Sequence, residues 1–134
     1  MLKVEHIGIA VESLDTAVPL FEKLLNTACY KTESVASEHV NTAFFQTGDT
    51  KVELLEAENG AGPIARFVER KGAGIHHIAF EVEDIEAAMA RLRAEGFELL
   101  QETPKAGADN KLICFLHPKS TSGVLIELCQ EIKT

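Results

Sequence analysis

The chain has 134 residues and a formal net charge of −8, with 46% hydrophobic and 25% charged residues. This size and balance predict one compact domain, or two small halves sharing a core, that folds without disulfides. The acidic charge disfavours nucleic-acid binding, which usually needs a basic stripe. No apolar run approaches the roughly 20 residues of a membrane span.

The cysteines and the N-terminal residues bear on the cellular compartment. Cys29, Cys114 and Cys129 form no C-x-x-C motif, and no targeting segment is visible at the start of the sequence. We therefore expect buried, reduced thiols in a cytoplasmic protein.

The first predicted elements are a strand and an amphipathic helix. Residues 6–11 alternate strictly, which places His6 on the side of the strand opposite Ile7. Apolar residues at three- to four-residue spacing then predict a helix that starts after Ser13, its N-cap, and ends at Asn26.

Three further strands and a connecting helix follow in the first half. The strands are predicted over residues 28–36, 39–47 and 51–57, with a hairpin signal at residues 47–50. Residues 62–72 have a proline near the start and a glycine at the end, as helices often do, and predict a connector helix.

The second half repeats the first. Residues 77–82 resemble residues 6–11 and lead into a second helix, capped by Asp84 and closed by Gly96. Strands are predicted over residues 97–101, 111–117 and 123–130.

The repeat predicts an α+β fold. Two βαβββ modules, about 1–60 and 73–134, pair through the connector at 62–72 into a single domain. We expect a curved eight-stranded sheet around a metal-containing cleft, with the helices outside.

Each half carries a histidine on its first strand and a glutamate on its last. His6 precedes Glu53 by 47 positions, and His77 precedes Glu127 by 50. Strand alternation places all four on the concave face, because the apolar neighbours of each glutamate face the helices. Two imidazoles and two carboxylates suit a borderline divalent ion with open coordination positions. The sequence therefore predicts a metal site from these four residues.

Four segments resemble the methylmalonyl-CoA epimerase family of the vicinal oxygen chelate superfamily. They are residues 6–11, 48–56, 74–80 with its double histidine, and 115–128 with its His-Pro-Lys-Ser run. The resemblance covers nearly the whole chain. It implies an isomerase that interconverts (2R)- and (2S)-methylmalonyl-CoA by removing the C2 proton and stabilising the enolate on a metal. It places the metal ligands at the same four positions and implies Co²⁺ first, with Mn²⁺, Ni²⁺ or Zn²⁺ as alternatives.

The resemblance also implies two bases on opposite sides of C2. One matches Glu127, and the other lies in a Glu-Gln-Gly-Val-like segment. Here that segment departs from the family, because an ungapped alignment puts Ser37 at the base position and one gap moves Glu38 there. We favour Glu38, since a serine is not a base near neutral pH without assistance, and His39 is a weaker candidate. His76 is interpreted as structural, because it points to the other face.

The substrate-binding residues are less strongly indicated. Lys119 and Ser120 lie on a loop where a CoA phosphate or the substrate carboxylate would pass, and Lys105 and Lys111 have weaker claims. A CoA thioester substrate and a homodimer are the expected partners, with no membrane or nucleic acid.

Alternative functions remain open on the sequence alone. A glyoxalase I-type lactoylglutathione lyase uses a similar ligand shell, and a metal-free small-molecule binding protein shares the fold. A ring-cleaving dioxygenase needs only two histidines and one glutamate, so Glu53 disfavours it.

Overall fold

The computed structural model describes residues 1–133. The helices and strands are, in chain order, β1 Lys3–Val11, α1 Leu14–Leu25, β2 Lys31–Val35, β3 Val40–Thr47, β4 Thr50–Ala57, α2 Gly62–Lys71, β5 Gly74–Glu81, α3 Ile85–Ala94, β6 Lys105–Ala106, β7 Lys111–Leu116 and β8 Ile126–Glu131. The eight strands form one sheet in the order β2-β3-β4-β1-β5-β8-β7-β6. The predicted α+β class and the eight-stranded sheet are confirmed.

The chain divides into two compact units. One unit is His6–His76, and the other joins Met1–Glu5 to the chain from His77 onward. The connector helix α2 thus belongs to the first of these units, and the boundary falls within β1 and β5 rather than in the connector. The prediction of a single domain stays a prediction.

In the unit His6–His76, the two sides of the sheet carry different helices. Ile9 and Val11 pack with Leu54 and Phe45 under α1, as strand alternation predicted. On the opposite side, Ala10, Val40 and Leu55 pack with Ile64 of α2. By alternation this is also the side of the predicted ligands, so α2 covers one end of the ligand side instead of lying with α1.

In the other unit, α3 covers one side of the sheet, and a small hydrophobic cluster lies on the other side. Met89 and Leu92 of α3 pack with Leu128 and Cys114. Ala79, Ile113, Phe115 and Cys129 cluster on the opposite side. Since β5 and β8 alternate regularly, His77 and Glu127 project on this second side.

The helix ends follow the sequence signals with one difference. Asp84 accepts a hydrogen bond from the Ala87 amide and caps α3, and Asn26 ends α1 in the left-handed conformation. Ser13 occupies the N-cap of α1, but its side chain makes no capping hydrogen bond. Instead, the Leu14 amide donates to Glu56 Oε2 at 2.9 Å, so a carboxylate from β4 ties the helix to the sheet.

The predicted strand over residues 97–101 is wrong. Only Leu99 forms an isolated bridge there, with Leu116, and the strand beside β7 is the two-residue β6. Two backbone hydrogen bonds flank this bridge, and the ladder stops there because Gln101 Oε1 accepts from the Phe115 amide at 2.8 Å. Arg93 binds the carbonyl oxygens of Gln101 and Glu102 at 2.8 and 2.9 Å and holds the segment in this irregular path.

The described part of the chain contains no helix long and apolar enough to cross a membrane. The cysteines are free: Cys114 and Cys129 are buried as expected, and Cys29 is half-buried.

Candidate metal centre

The two histidine–glutamate pairs occupy equivalent positions in the strand ladders. In the parallel pairing of β1 with β4, Gly8 lies opposite Glu53. In the parallel pairing of β5 with β8, Ala79 lies opposite Glu127. Each histidine is two residues before the small residue that faces the glutamate. The same register in both halves is the structural counterpart of the sequence repeat, and it leaves space beside each pair.

Within each pair the side chains are close. His6 Nδ1 lies 3.2 Å from Glu53 Oε2, and His77 Nε2 lies 3.2 Å from Glu127 Oε1. Two neighbouring ligands of an octahedral ion, each about 2.1 Å from the metal, are about 3.0 Å apart. The distances therefore fit shared metal ligation as well as an imidazole–carboxylate hydrogen bond.

Burial favours ligation. Exposed fractions are 5% for His6, 4% for Glu53, 5% for His77 and 5% for Glu127. A buried carboxylate without a cation carries a desolvation cost of several kcal/mol, which a divalent ion offsets.

Two groups of three side chains have potential ligand atoms within 4.8 Å of one another. One group is His6, His77 and Glu127, and the other is Glu5, His6 and Glu53. Nitrogen and carboxylate oxygen donors of this kind suit Mn²⁺, Co²⁺, Ni²⁺ or Zn²⁺.

Glu5 is a buried carboxylate that the sequence analysis missed. Its exposed fraction is 3%, and it precedes His6 directly in β1. The alternating pattern used for the prediction begins at His6, and no sequence signal distinguishes Glu5 from a solvated charge.

Two phenylalanines were also missed, and they frame the glutamates. Phe44 of β3 lies directly opposite Glu53, and Phe115 of β7 lies directly opposite Glu127. The Phe115 ring meets His77 edge to face with centroids 5.7 Å apart. A signal existed, because extending the repeat aligns residues 43–45, Ala-Phe-Phe, with residues 114–116, Cys-Phe-Leu.

No sulfur ligand belongs to the set. Burial raises the pKa of the Cys129 thiol, and the nearby carboxylates of Glu127 and Glu5 raise it further.

The segment proposed to carry the second base forms a single 3-10 turn. Glu38 is half-buried at the end of the turn Ala36–Glu38, Ser37 is exposed, and His39 follows in a left-handed conformation at φ 54°. The positive φ of His39 is one that glycine adopts more readily. Glu38 is the one carboxylate of the turn.

His76, the histidine next to His77, packs against a helix. His76 meets Phe67 of α2 edge to face, with centroids 5.0 Å apart. Its ring therefore has a structural contact, in line with its interpretation as a structural residue.

The two residues expected to bind substrate are both bonded to Glu98, one to its side chain and one to its backbone amide. Lys119 Nζ lies 3.0 Å from Glu98 Oε1, and the Glu98 amide donates to Ser120 Oγ at 3.0 Å. The hydrogen bond from Lys119 lowers the pKa of the exposed Glu98 carboxyl. Of the weaker candidates, Lys111 is buried and Lys105 lies in β6, so Lys119 remains the more accessible cation.

The fold and its duplicated register define a protein of the glyoxalase-like class. The family model described as the Glyoxalase/Bleomycin resistance protein/Dioxygenase superfamily matches residues 5–115. The ethylmalonyl-CoA/methylmalonyl-CoA epimerase of Cereibacter sphaeroides is 39% identical over 130 residues, covering 96% of this chain and 97% of the relative.

Solved structures agree with the sequence comparison. The methylmalonyl-CoA epimerase of Mycobacterium tuberculosis matches with a TM-score of 0.93 at 32% identity, covering 98% of this chain and 89% of that chain. A variant of the Streptomyces coelicolor enzyme in complex with 2-nitronate-propionyl-CoA matches with a TM-score of 0.93 at 31% identity, covering 99% of both chains. The chain belongs to the Glyoxalase/Bleomycin resistance protein/Dioxygenase superfamily and, within it, to the methylmalonyl-CoA epimerase family.

Proposed function

We propose that the chain is a metal-dependent epimerase that interconverts (2R)- and (2S)-methylmalonyl-CoA. The observation that carries the proposal is the pair of buried His–Glu contacts in the same register of both halves, His6 with Glu53 and His77 with Glu127. The names of the relatives supply the substrate. The nitronate ligand of the Streptomyces coelicolor complex is named as a propionyl-CoA derivative, and a nitronate has the planar, charged form of an enolate.

We propose His6, Glu53, His77 and Glu127 as the metal ligands. A bound divalent ion supplies Lewis-acid stabilisation of negative charge on the substrate's thioester oxygen. Co²⁺ is the first choice, with Mn²⁺, Ni²⁺ or Zn²⁺ as alternatives, since the nitrogen and oxygen donors suit each of them.

The chain's own residues move the proton. Glu127 has two carboxylate oxygens, and Oε1 is the one beside His77. The carboxylate accepts the C2 proton from one face of the substrate, and Glu38 accepts or returns it on the other. Both act as general bases, and each becomes the acid for the reverse step.

The phenylalanines opposite the glutamates exclude water from this chemistry. Phe44 is fully buried, and Phe115 packs against His77. An apolar surround lowers the local dielectric and strengthens the electrostatic stabilisation of the developing charge.

Lys119 is proposed to contact a phosphate of CoA or the free carboxylate, with Ser120 beside it. The exposed ion pair of Lys119 with Glu98 is of the kind that contributes little stability, so the lysine can exchange Glu98 for an anionic ligand. A homodimer and a cytoplasmic location complete the proposal. The relatives do not favour a lactoylglutathione lyase or a metal-free binding protein.

The test of the proposed function is deuterium incorporation. With Co²⁺ in D₂O, we expect each methylmalonyl-CoA epimer to gain deuterium at C2 and to convert to the other, far faster than in a blank without protein. A parallel assay offers glutathione hemithioacetal. Turnover of the hemithioacetal with none of the CoA thioester would overturn the proposal.

The second base has its own prediction. Glu38→Gln is expected to lower the rate of epimerisation by about 10²- to 10⁴-fold, the range of one general base. Exchange of the epimer whose proton faces Glu127 should persist, because that carboxylate can take the proton and return a deuteron to the same face. The measurement follows deuterium content and configuration together by mass spectrometry and a coupled stereospecific assay.

Ser37→Ala is the matched control, one residue away in the same turn. It should leave epimerisation close to that of the unmodified protein. Unchanged epimerisation in Glu38→Gln, with loss in Ser37→Ala, would move the base to Ser37.

A further inference from the structure

The turn that carries Glu38 packs directly on the first residue of α2. Gly62 has φ +89°, and a Cβ built on it would lie 2.9 Å from His39 Cβ and 3.2 Å from the carbonyl oxygen of Glu38. Cβ atoms essentially never come within 3.0 Å of a heavy atom outside their own residue and its two chain neighbours. Both the positive φ of residue 62 and the close approach of the turn therefore require glycine at this position.

The turn has little freedom to move away from Gly62. His39 is left-handed, and its amide donates to the carbonyl oxygen of Ala36 at 3.1 Å. Its own carbonyl oxygen accepts from the Glu58 amide at 2.8 Å. The atoms that face Gly62 are a Cβ and a backbone oxygen rather than the far end of a flexible side chain. A side chain introduced at position 62 would consequently displace the backbone of the turn.

A displacement of the turn falls on the side of the sheet that carries the ligands. Val40, the residue after the turn, packs with Ala10, Leu55 and Ile64. Leu55 is two residues beyond Glu53 on the same strand, so the two project on the same side. The start of α2, the Glu38 turn and the Glu53 side of the sheet thus form one continuous packing unit.

We propose that Gly62 is a positioning residue for the second base: by leaving room for the turn at residues 36–39, it fixes where the Glu38 carboxylate stands. The inference rests on the proposed function, in which Glu38 serves one face of C2. Gly62 itself touches no substrate. It acts through the backbone of the turn.

The test compares two glycine substitutions that differ in one respect. Gly62→Ala places a Cβ against the turn. Gly60→Ala is the matched control, because Gly60 also has positive φ, at +67°, but has nothing within 4 Å of a built Cβ. Both carry the strain of an alanine in the left-handed region, and only the first pushes on Glu38.

The readout is the ratio of deuterium exchange to epimerisation for each epimer in D₂O. In Gly62→Ala we expect epimerisation to fall about 10- to 100-fold, the cost of a misplaced catalytic group. Exchange at the epimer served by Glu127 should stay near the rate of the unmodified protein, so the ratio rises for that epimer. A purely structural defect lowers exchange and epimerisation together and leaves the ratio unchanged.

A second variant keeps the test decisive if Gly62→Ala folds poorly. His39→Gly removes the Cβ that the new methyl group would meet and suits the positive φ of residue 39. We expect the double variant Gly62→Ala with His39→Gly to regain melting temperature and epimerisation relative to Gly62→Ala alone.

The outcomes separate this inference from the proposed function. If the unmodified protein does not epimerise methylmalonyl-CoA, the proposed function fails. If it does, any of three results would overturn the positioning role of Gly62. The first is an equal loss of exchange and epimerisation in Gly62→Ala. The others are behaviour of Gly62→Ala that matches Gly60→Ala, and no recovery in the double variant.

Discussion

Glu127→Gln is expected to lower kcat for epimerisation by about 10³-fold or more, because one side chain is assigned two tasks. As a general base, a carboxylate contributes about 10²- to 10⁴-fold. As a ligand, it also helps to hold the metal, and an amide is neutral and a weaker donor. Steady-state assays in both directions should show the same fall in kcat/KM, since a catalyst cannot alter the equilibrium between the epimers and the ratio of the two kcat/KM values is therefore fixed.

Glu131→Gln is the control on the same strand. Glu131 is an exposed carboxylate of β8, so its loss should leave kcat nearly unchanged. A Glu127→Gln variant that retained full activity in the presence of saturating metal would remove Glu127 from both assigned tasks.

Metal removal should abolish activity and lower stability in the same titration. A ligand at about 100 times its Kd stabilises the folded state by about 2.7 kcal/mol. For a chain of this size, that corresponds to a rise in Tm of roughly 10 °C. We therefore expect chelator-treated protein to be inactive, and added Co²⁺ to restore turnover and raise Tm together, as followed by calorimetry.

The two neighbouring histidines provide a matched pair for this experiment. His77→Ala should lose the Co²⁺-dependent rise in Tm, since it removes a proposed ligand. His76→Ala should keep that rise, even if its starting Tm is lower, because His76 packs on Phe67. A full metal response in His77→Ala would contradict the assigned ligand set.

The parts of the site that could be predicted from sequence are those that occur at equivalent positions in both halves of the repeat. His6 and His77 lie on the first strands of the two halves, and Glu53 and Glu127 lie on their last strands. Alternation alone gives the side of the sheet on which they project. The structure brings each pair to 3.2 Å. The period-two geometry of a strand makes such inferences reliable wherever the strand is regular.

The features that were missed depend on contacts that local patterns do not encode. Residues 97–101 look like a strand, but the backbone pairing stops at one bridge because the Gln101 side chain accepts a hydrogen bond from the Phe115 amide. The amphipathic pattern of α2 shows that it has an apolar face, without showing that Ile64 would cover Ala10 and Leu55 on the ligand side. Tertiary packing decides both.

The division of β1 has a consequence for how the polypeptide acquires its structure. Residues 1–5 belong with the chain from His77 onward, and the Leu2 amide donates to the carbonyl oxygen of Glu81 at 2.8 Å. During synthesis on a ribosome, residues 1–5 must wait until the chain beyond His77 has been translated before they meet these partners. Closing so long a loop is entropically costly and slows the step. We expect residues 1–5 to be among the last to acquire protection from amide hydrogen exchange.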